Sequence, residues 1–356
     1  MLTLIFILVS LASIVAVFFK FWTADGDFTL MSKKHAKREE IEDKVVWITG
    51  ASRGIGEVLA KQLASLGAKL IISARNEAEL ERVKKQLSGK HAPDEVMILP
   101  LDLASGEDSL RVAVQRAESF FAGAGVDYMI HNAAYERPKT TALDVTEEGL
   151  KATFNVNVIG TISLTRLLAL FMLKRGRGHF VVMSSAAGKA PAPGQAVYSA
   201  SKFALNGYFH SLRSELYRKG IKVTVVCPGP IKMSSVPEAS TSGQKGFSEK
   251  RVSSERCAEL TIIAATHGLK EVWISYQRVW GVLWSNGKFG FKACTCSYVL
   301  GAVHANHWLL AYGQGWSKTG RSCCTKGEYI LVEFTIWKKQ GTVIFVMLQD
   351  THLLNT

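Results

Sequence analysis

Tyr198 and Lys202 stand four residues apart, and Ser185 lies a short way upstream of them. A helix over Gly194–Arg218 puts the phenol and the ammonium on one face. Ser185 follows the apolar run Phe180-Val181-Val182-Met183, a buried-strand pattern that ends in Ser184-Ser185-Ala186-Ala187-Gly188. A strand end therefore presents a hydroxyl to a helix carrying a phenol and an amine. That trio suits proton transfer to or from a carbonyl or carbinol oxygen. A free tyrosine has a pKa of about 10, so only about 0.1% is phenolate at pH 7. A neighbouring ammonium favours the phenolate and is expected to lower that pKa. The tyrosine is then a general acid in carbonyl reduction or a general base in alcohol oxidation, with the serine hydroxyl holding the substrate oxygen. Tyr-x-x-x-Lys alone recurs by chance on helix surfaces, so the assignment depends on the elements around it.

The first of these is Val45-Val46-Trp47-Ile48, a short buried-strand pattern running into Thr49-Gly50-Ala51-Ser52-Arg53-Gly54-Ile55-Gly56. Ile55, Leu59, Leu63 and Leu66 then repeat at helical spacing, and Gly67 offers a stop. Strand, glycine turn and helix in that order bring backbone N–H groups to a dinucleotide pyrophosphate at a helix N-terminus. The second strand, Lys69–Ser73, ends in Ala74-Arg75. An acid here would bind a ribose 2′-hydroxyl and mark NAD. None is present, and Arg75 and Arg53 are placed to meet a 2′-phosphate instead, which predicts NADP(H).

Further units follow: Val96–Pro100 into Leu101-Asp102-Leu103, Val126–His131 into Asn132-Ala133-Ala134, a helical pattern over Leu150–Arg175 containing Asn157, Lys222–Cys227 into Pro228-Gly229-Pro230, and a last strand at Glu271–Ile274. Strands alternating with helices predict an α/β fold with a doubly wound, Rossmann-like parallel sheet of about seven strands.

These motifs together resemble the short-chain dehydrogenase/reductases, from Lys44 to about Gln277 and in that family's order. The resemblance implies an NADP(H)-dependent oxidoreductase acting on CH–OH groups, with Asn157, Ser185, Tyr198 and Lys202 as the catalytic tetrad. It implies that Asn157 holds a relay water, that Lys202 also holds the nicotinamide ribose, and that Gly50, Ser52, Arg53, Gly54, Ile55 and Gly56 form the cofactor turn. Asp102 would contact the adenine, Pro228 and Gly229 would border the nicotinamide, and Ile231 would lie near its carboxamide. Leu103, Asn132 and Arg75 complete the expected cofactor set, which shares Tyr198 and Lys202 with the catalytic group. The chain departs from the family pattern at His131 and Ala134, where Asn-Asn-Ala-Gly reads His-Asn-Ala-Ala, and at Met233, where threonine is common. His131 reads as a strand-end residue. Within the family, the N-terminus and Leu269-Lys270-Glu271-Val272-Trp273-Ile274-Ser275 are similar to the dehydrogenase/reductase member 7 group. Relatives of this kind act on steroids, retinoids and other lipophilic carbonyls at the endoplasmic reticulum, and often dimerise through the helices carrying Asn157 and Tyr198. A 3-ketosphinganine-type reductase and a non-catalytic NADP-binding scaffold at a membrane are the alternatives.

The chain has 356 residues, 47% of them hydrophobic, and a net charge of +13. The positive excess is dispersed, without a basic block or an aromatic-interleaved patch. It fits an anionic cofactor or lipid headgroups, with nucleic acid the least supported partner. Leu2–Phe19 is uncharged and apolar apart from Thr3, Ser10 and Ser13. About 18 helical residues span ~27 Å, close to the hydrocarbon core. The reading is a single-pass membrane anchor over 1–23, with a cleaved signal peptide as its rival. Lys20, Lys33, Lys34, Lys37 and Arg38 place the body in the cytoplasm by the positive-inside rule, whereas some resembling proteins face the lumen, so orientation stays open. A charged linker is expected over 24–43, the dinucleotide-binding domain over 44–277, and an uninterpreted tail over 278–356. Tyr329–Trp337 and Thr342–Leu348 read as tail strands without an obvious partner. Cys294, Cys296, Cys323 and Cys324 do not have metal-binding spacing. The polar loop Lys232–Lys250 has the position of a lid, and Tyr135, Pro191, Pro193 and Met233 are expected to line the pocket.

Overall fold

The strands form where apolar residues run unbroken, because both faces of the sheet are covered. In the computed structural model seven strands run parallel: β1 Val45–Thr49, β2 Lys69–Ser73, β3 Val96–Ile98, β4 Tyr128–His131, β5 Gly178–Met183, β6 Ile221–Pro228 and β7 Glu271–Ile274. Their order across the sheet is β3-β2-β1-β4-β5-β6-β7, so the direction of winding reverses beside β1. The structure describes residues 23–89, 91–93, 95–136, 140–191, 193–232 and 251–276. It also describes Phe6, Ser10, Ser13, Val15, Ala16 and Phe19, and the strands of the tail.

Side chains alternate between two cores. Val46 and Ile48 face helices α1 (Gly54–Ser65) and α7 (Ser254–Thr266), meeting Leu59, Leu63, Ile262 and Ile263. Val45 and Trp47 face the other layer, made by α3 (Glu107–Phe120), α5 (Thr161–Arg175) and α6 (Ala196–Leu216), meeting Leu110, Leu164, Leu168 and Phe209. Helix α2 (Glu77–Lys84) follows β2, and α4 (Glu147–Phe154) leads through a π-helical segment, Asn155–Gly160, into α5. Among the described residues, this run of 29 residues, Glu147–Arg175, is the one helix long and apolar enough to cross a membrane. Leu164, Leu168 and Met172 along it are buried in the core of the domain, which accounts for that hydropathy.

The charged linker expected over 24–43 is packed on the domain. Asp27 caps a short helix, Phe28–Met31, by accepting from the N–H groups of Thr29 and Leu30. Its backbone N–H donates to the Trp273 carbonyl at 3.0 Å, and its Oδ2 accepts from Trp273 N–H at 2.7 Å. Asp25 accepts from Arg256 Nε at 2.7 Å and from Nη2 at 3.2 Å. Leu30 and Ile41 are buried in the core. Local charge in the sequence concealed these two apolar anchors. The expected membrane anchor falls mostly outside the described residues; Phe6, Val15 and Phe19, which are described, are helical and exposed.

The chain divides into two units, Met1–Asn286 and Gly287–Thr356. In the second, strands Glu333–Lys339 and Thr342–Leu348 pair antiparallel with each other, Glu333 opposite Leu348 and Lys339 opposite Thr342. The two tail strands therefore do have a partner, which each supplies to the other. The tail cysteines lie outside the described residues.

Candidate active site

Seven parallel strands bring their C-terminal ends to one edge of the sheet, where ligands of such folds bind. At the end of β1, Gly50 and Gly54 take φ of +67° and +58°, a region that favours glycine. A Cβ on Gly56 would strike the Gly50 carbonyl and come within 2.5 Å of Asn132 Nδ2. The turn is braced from β4: Asn132 Nδ2 donates to the carbonyls of Thr49 and Gly50, both at 3.1 Å, and Asn132 N–H donates to Thr49 Oγ1 at 3.1 Å. Asn132 thus shapes the turn through its side-chain amide. No side chain caps the N-terminus of α1, where Ile55 and Gly56 follow Gly54.

Beyond this turn the expected cofactor residues are brought to the same edge. Arg53 and Arg75 are exposed, and among the described residues neither guanidinium has a hydrogen bond or an ion pair. Ser52, in the turn, is partly buried. Asp102 follows β3, exposed, its Oδ1 accepting from the Ala104 N–H at 3.0 Å; Leu103 beside it is buried. Pro228 ends β6, and Gly229 N–H donates to the Ile274 carbonyl at 2.9 Å. Ile231 begins a two-residue strand paired with Val252–Ser253. These residues suit a dinucleotide: open helix amides for the pyrophosphate, free arginines for further phosphate, and no acid at Ala74 or Arg75, directly after β2.

Ser185 follows β5 and caps a 3-10 turn, its Oγ accepting from the Ala187 N–H at 3.1 Å. It lies close enough to Tyr198 to favour the ionised form of the phenol. Lys202 is buried; its Nζ donates to the Met183 carbonyl at 2.8 Å and stands 5.5 Å from the centre of the Tyr198 ring. The expected lowering of the Tyr198 phenol by Lys202 is not met. Burial pushes the phenol up to about 12, and Glu136 acts in the same direction, with Ser185 opposing them weakly. Burial likewise takes the Lys202 ammonium down to about 8. Desolvation is the largest influence on both groups.

Asn157 sits inside the π-helical segment, buried. Its Oδ1 accepts from Tyr135 N–H at 2.6 Å, while its Nδ2 donates to the Tyr135 carbonyl at 3.0 Å and to Ser201 Oγ at 3.1 Å. Ser201 Oγ donates in turn to the Tyr198 carbonyl at 2.7 Å. One extra residue in a helical turn, a frequent device at functional sites, re-aims this amide towards the site.

A cavity of about 230 Å³ opens beside Tyr198, lined by Glu136, Thr140, Asp144, Thr153 and Gln195 among others. Gln195 Nε2 donates to Glu136 Oε1 at 3.0 Å. Of the four residues expected to line the pocket, Tyr135, Pro191 and Pro193 do not border this cavity. The Tyr135 backbone is bonded to Asn157 on both sides, and Met233 and most of the expected lid fall outside the described residues. Sequence reasoning missed Glu136, Gln195 and Ser201; only Glu136, close after β4, carried a positional signal. His131 is buried, with Nε2 2.8 Å from Thr165 Oγ1 and its ring stacked on Phe180. Burial holds its pKa down at about 3, so it is a neutral core residue.

Residues 44–244 match the family model described as short chain dehydrogenase. The chain belongs to this family. Dehydrogenase/reductase SDR family member 7 of Homo sapiens is 35% identical over 286 residues, which cover 76% of this chain and 82% of that protein. An 11-beta-hydroxysteroid dehydrogenase A of Sesamum indicum is 35% identical over 196 residues, 54% of each chain. A solved metagenomic short-chain oxidoreductase in complex with NADP aligns with a TM-score of 0.55 and 26% identity, covering 66% of this chain and 97% of its own. As a short-chain dehydrogenase similar to the member 7 proteins, the chain is an oxidoreductase acting on CH–OH groups of a small molecule, with a fold that binds a nicotinamide cofactor.

Proposed function

We propose that this short-chain dehydrogenase uses NADP(H) and interconverts a lipophilic ketone or aldehyde with its alcohol, on a steroid, a retinoid or a similar lipid, at a membrane. The observation that carries the cofactor choice is the pair of exposed arginines, Arg53 and Arg75, with no acid at the two positions that directly follow β2, Ala74 and Arg75. Gly50, Ser52, Gly54, Ile55 and Gly56 would hold the pyrophosphate, Asp102 and Leu103 the adenine end, and Pro228, Gly229 and Ile231 the nicotinamide end, with Asn132 bracing the turn. The cofactor supplies or accepts the hydride when bound.

Tyr198 lines the cavity and Ser185 lies near its phenol, so a carbonyl oxygen entering there meets the tyrosine hydroxyl with the serine hydroxyl close by. A phenol held protonated by burial is an acid ready to give its proton to that oxygen as it becomes an alcohol. Lys202, buried behind Tyr198, shares its ammonium with the Met183 carbonyl and stabilises the phenolate left behind. Asn157 fixes the loop that bears Tyr135 and Glu136 and, through Ser201, the Tyr198 backbone. The steroid-dehydrogenase relative supports the substrate class.

The exposed apolar side chains Phe6, Val15 and Phe19 support an N-terminal membrane anchor, with the endoplasmic reticulum as the proposed membrane. Exposed Ile159, Leu170 and Phe203, on the helices of Asn157 and Tyr198, support a homodimer. The test is cofactor oxidation by the full chain in vesicles, with NADPH and NADH, against steroid, retinoid and sphingoid carbonyls. Turnover with NADPH and a steroid or retinal is expected; equal use of both cofactors, or turnover with the sphingoid ketone alone, overturns the corresponding half.

A further inference from the structure

We propose that Arg82 is a positioning residue for the cofactor turn, acting by pinning the Ser52 carbonyl and by neutralising Glu57. The inference rests on the reading that the turn holds the dinucleotide's phosphates. Arg82 lies on α2, outside the glycine motif, yet its guanidinium reaches the turn. Nη2 donates to the Ser52 carbonyl at 2.9 Å and to Glu57 Oε2 at 2.8 Å, Nη1 donates to Glu57 Oε1 at 3.1 Å, and Nε donates to Glu79 Oε2 at 2.9 Å. One planar group thus ties the turn, the first helix after it and the second helix together.

Glu57 creates the need for this arrangement. It stands in the first turn of α1, where a carboxylate favours the helix dipole and competes with any other anion for the same field. Its side chain is only 16% exposed and is held by Arg82 and by Lys61 Nζ at 2.7 Å. The bond from Arg82 is foremost in keeping its pKa at about 2, so it is always charged and always in need of a counter-charge. With two cations on it, the charge is met within the protein and the helix amides remain available to phosphate. Arg82 is committed to these bonds, whereas Arg53 and Arg75 are exposed without such partners among the described residues. The three arginines therefore divide the work: two for the ligand and one for the turn. A lysine cannot reproduce the bidentate bond and the carbonyl bond together.

The division gives distinct results in titrations of NADPH and NADH against the full chain and four variants: Arg82→Met, Arg82→Lys, Glu57→Gln, and Arg82→Met with Glu57→Gln. Arg82→Met is expected to weaken both cofactors alike by about tenfold or more, with kcat at saturating NADPH nearly unchanged. Arg82→Lys should recover only part of the loss. Removing the Glu57 charge in the double variant should restore part of the affinity, measured under conditions where melting curves show every variant fully folded, so that lost stability does not enter the comparison. A loss confined to NADPH would make Arg82 a ligand contact and overturn the proposal. Unchanged binding in Arg82→Lys and Arg82→Met would also overturn it, as would a double variant no better than Arg82→Met. If Arg82→Met does not fold, Arg82→Lys against Glu57→Gln decides. A native chain that binds neither cofactor defeats the underlying reading itself, separately from any of these results.

Discussion

Asn157 and Tyr135 are joined amide to amide: Asn157 Oδ1 accepts the Tyr135 N–H at 2.6 Å and Nδ2 donates to the Tyr135 carbonyl at 3.0 Å. A side chain here completes both backbone bonds of a loop residue that no strand or helix serves. The same amide reaches Ser201 and, through it, the backbone of Tyr198. Asn157→Ala strips three bonds from a buried position and should cost about 1–3 kcal/mol. Turnover should fall with it, because the wall of the cavity at Glu136 loosens. Chemical denaturation and kcat/KM of the variant check this; unchanged values for both would make the pairing incidental.

Tyr198→Phe removes the hydroxyl that meets Ser185 and little volume. Turnover should drop about 10²-fold or more through lost acid catalysis, while NADPH titration and the melting temperature stay near native. Near-native turnover would take Tyr198 out of the mechanism.

The site's two buried cationic and phenolic groups have opposite pH signatures. Lys202 has a pKa of about 8 in the fold against an ordinary 10.5. Below pH 8 burial of its charge costs its full amount. Between about 8 and 10.5 the unfolded chain holds a proton that the folded chain has released, so this contribution to stability rises with pH. Tyr198, pushed up to about 12 from 10, holds its proton longer in the fold, and its contribution falls between about pH 10 and 12. Lys202→Met should therefore stabilise the chain at pH 7 by up to about 3 kcal/mol, less the lost Met183 bond, with the gain fading by pH 10. Urea unfolding at pH 7 and 9.5 measures it. A variant destabilised equally at both values would show that the buried charge carries no penalty.

Arg75→Ala should erase most of the preference for NADPH over NADH, by some 10–150-fold in the ratio of affinities, because a charge-assisted bond is worth about 1.5–3 kcal/mol. NADH binding itself should hardly change. An equal loss with both cofactors would place Arg75 in the turn's structure, the part assigned above to Arg82.

The order of the strands, the glycine turn and the Ser185-Tyr198-Lys202 set were legible because each is written in local spacing or in buried-strand runs. The start of the Asn157 helix was read at Leu150, although Thr146 caps it and its first turn begins at Glu147. The π-helical turn left no mark, since one inserted residue does not break the apolar period of Leu150–Arg175. The Tyr198 phenol departs from the sequence expectation for a different reason. Type and spacing announce the Lys202 charge, but burial of both groups is a property of the packed site and reverses the sign. Glu57 and Arg82 stand 25 residues apart, and a bond of that kind is fixed by topology alone.

The same limit hid the N-terminal strap, which yields the last prediction. A chain beginning at Thr23 keeps Asp25, Asp27, Leu30 and Ile41, whereas one beginning at Lys44 keeps the whole nucleotide-binding pattern and loses all four. If the family motifs alone defined the folding unit, both would melt together. The structure says otherwise. Leu30 and Ile41 are buried in the core beside α1 and α7, and each is worth about 1.5–3 kcal/mol when buried. Asp25 is a bidentate partner of Arg256, and Asp27 closes both backbone groups of Trp273 on β7, the edge strand of the sheet. Removing Asp27 would leave that edge open to pairing with another chain. The chain from Lys44 should therefore lose several kcal/mol and self-associate at high concentration, while the chain from Thr23 stays as stable as the full domain and binds NADPH equally well. Melting curves and sedimentation of the two, with NADPH titration of each, make the comparison. Equal melting temperatures would show that the strap adds nothing to the fold. A Thr23 chain that self-associates as readily as the Lys44 chain would show that Asp27 does not guard the edge.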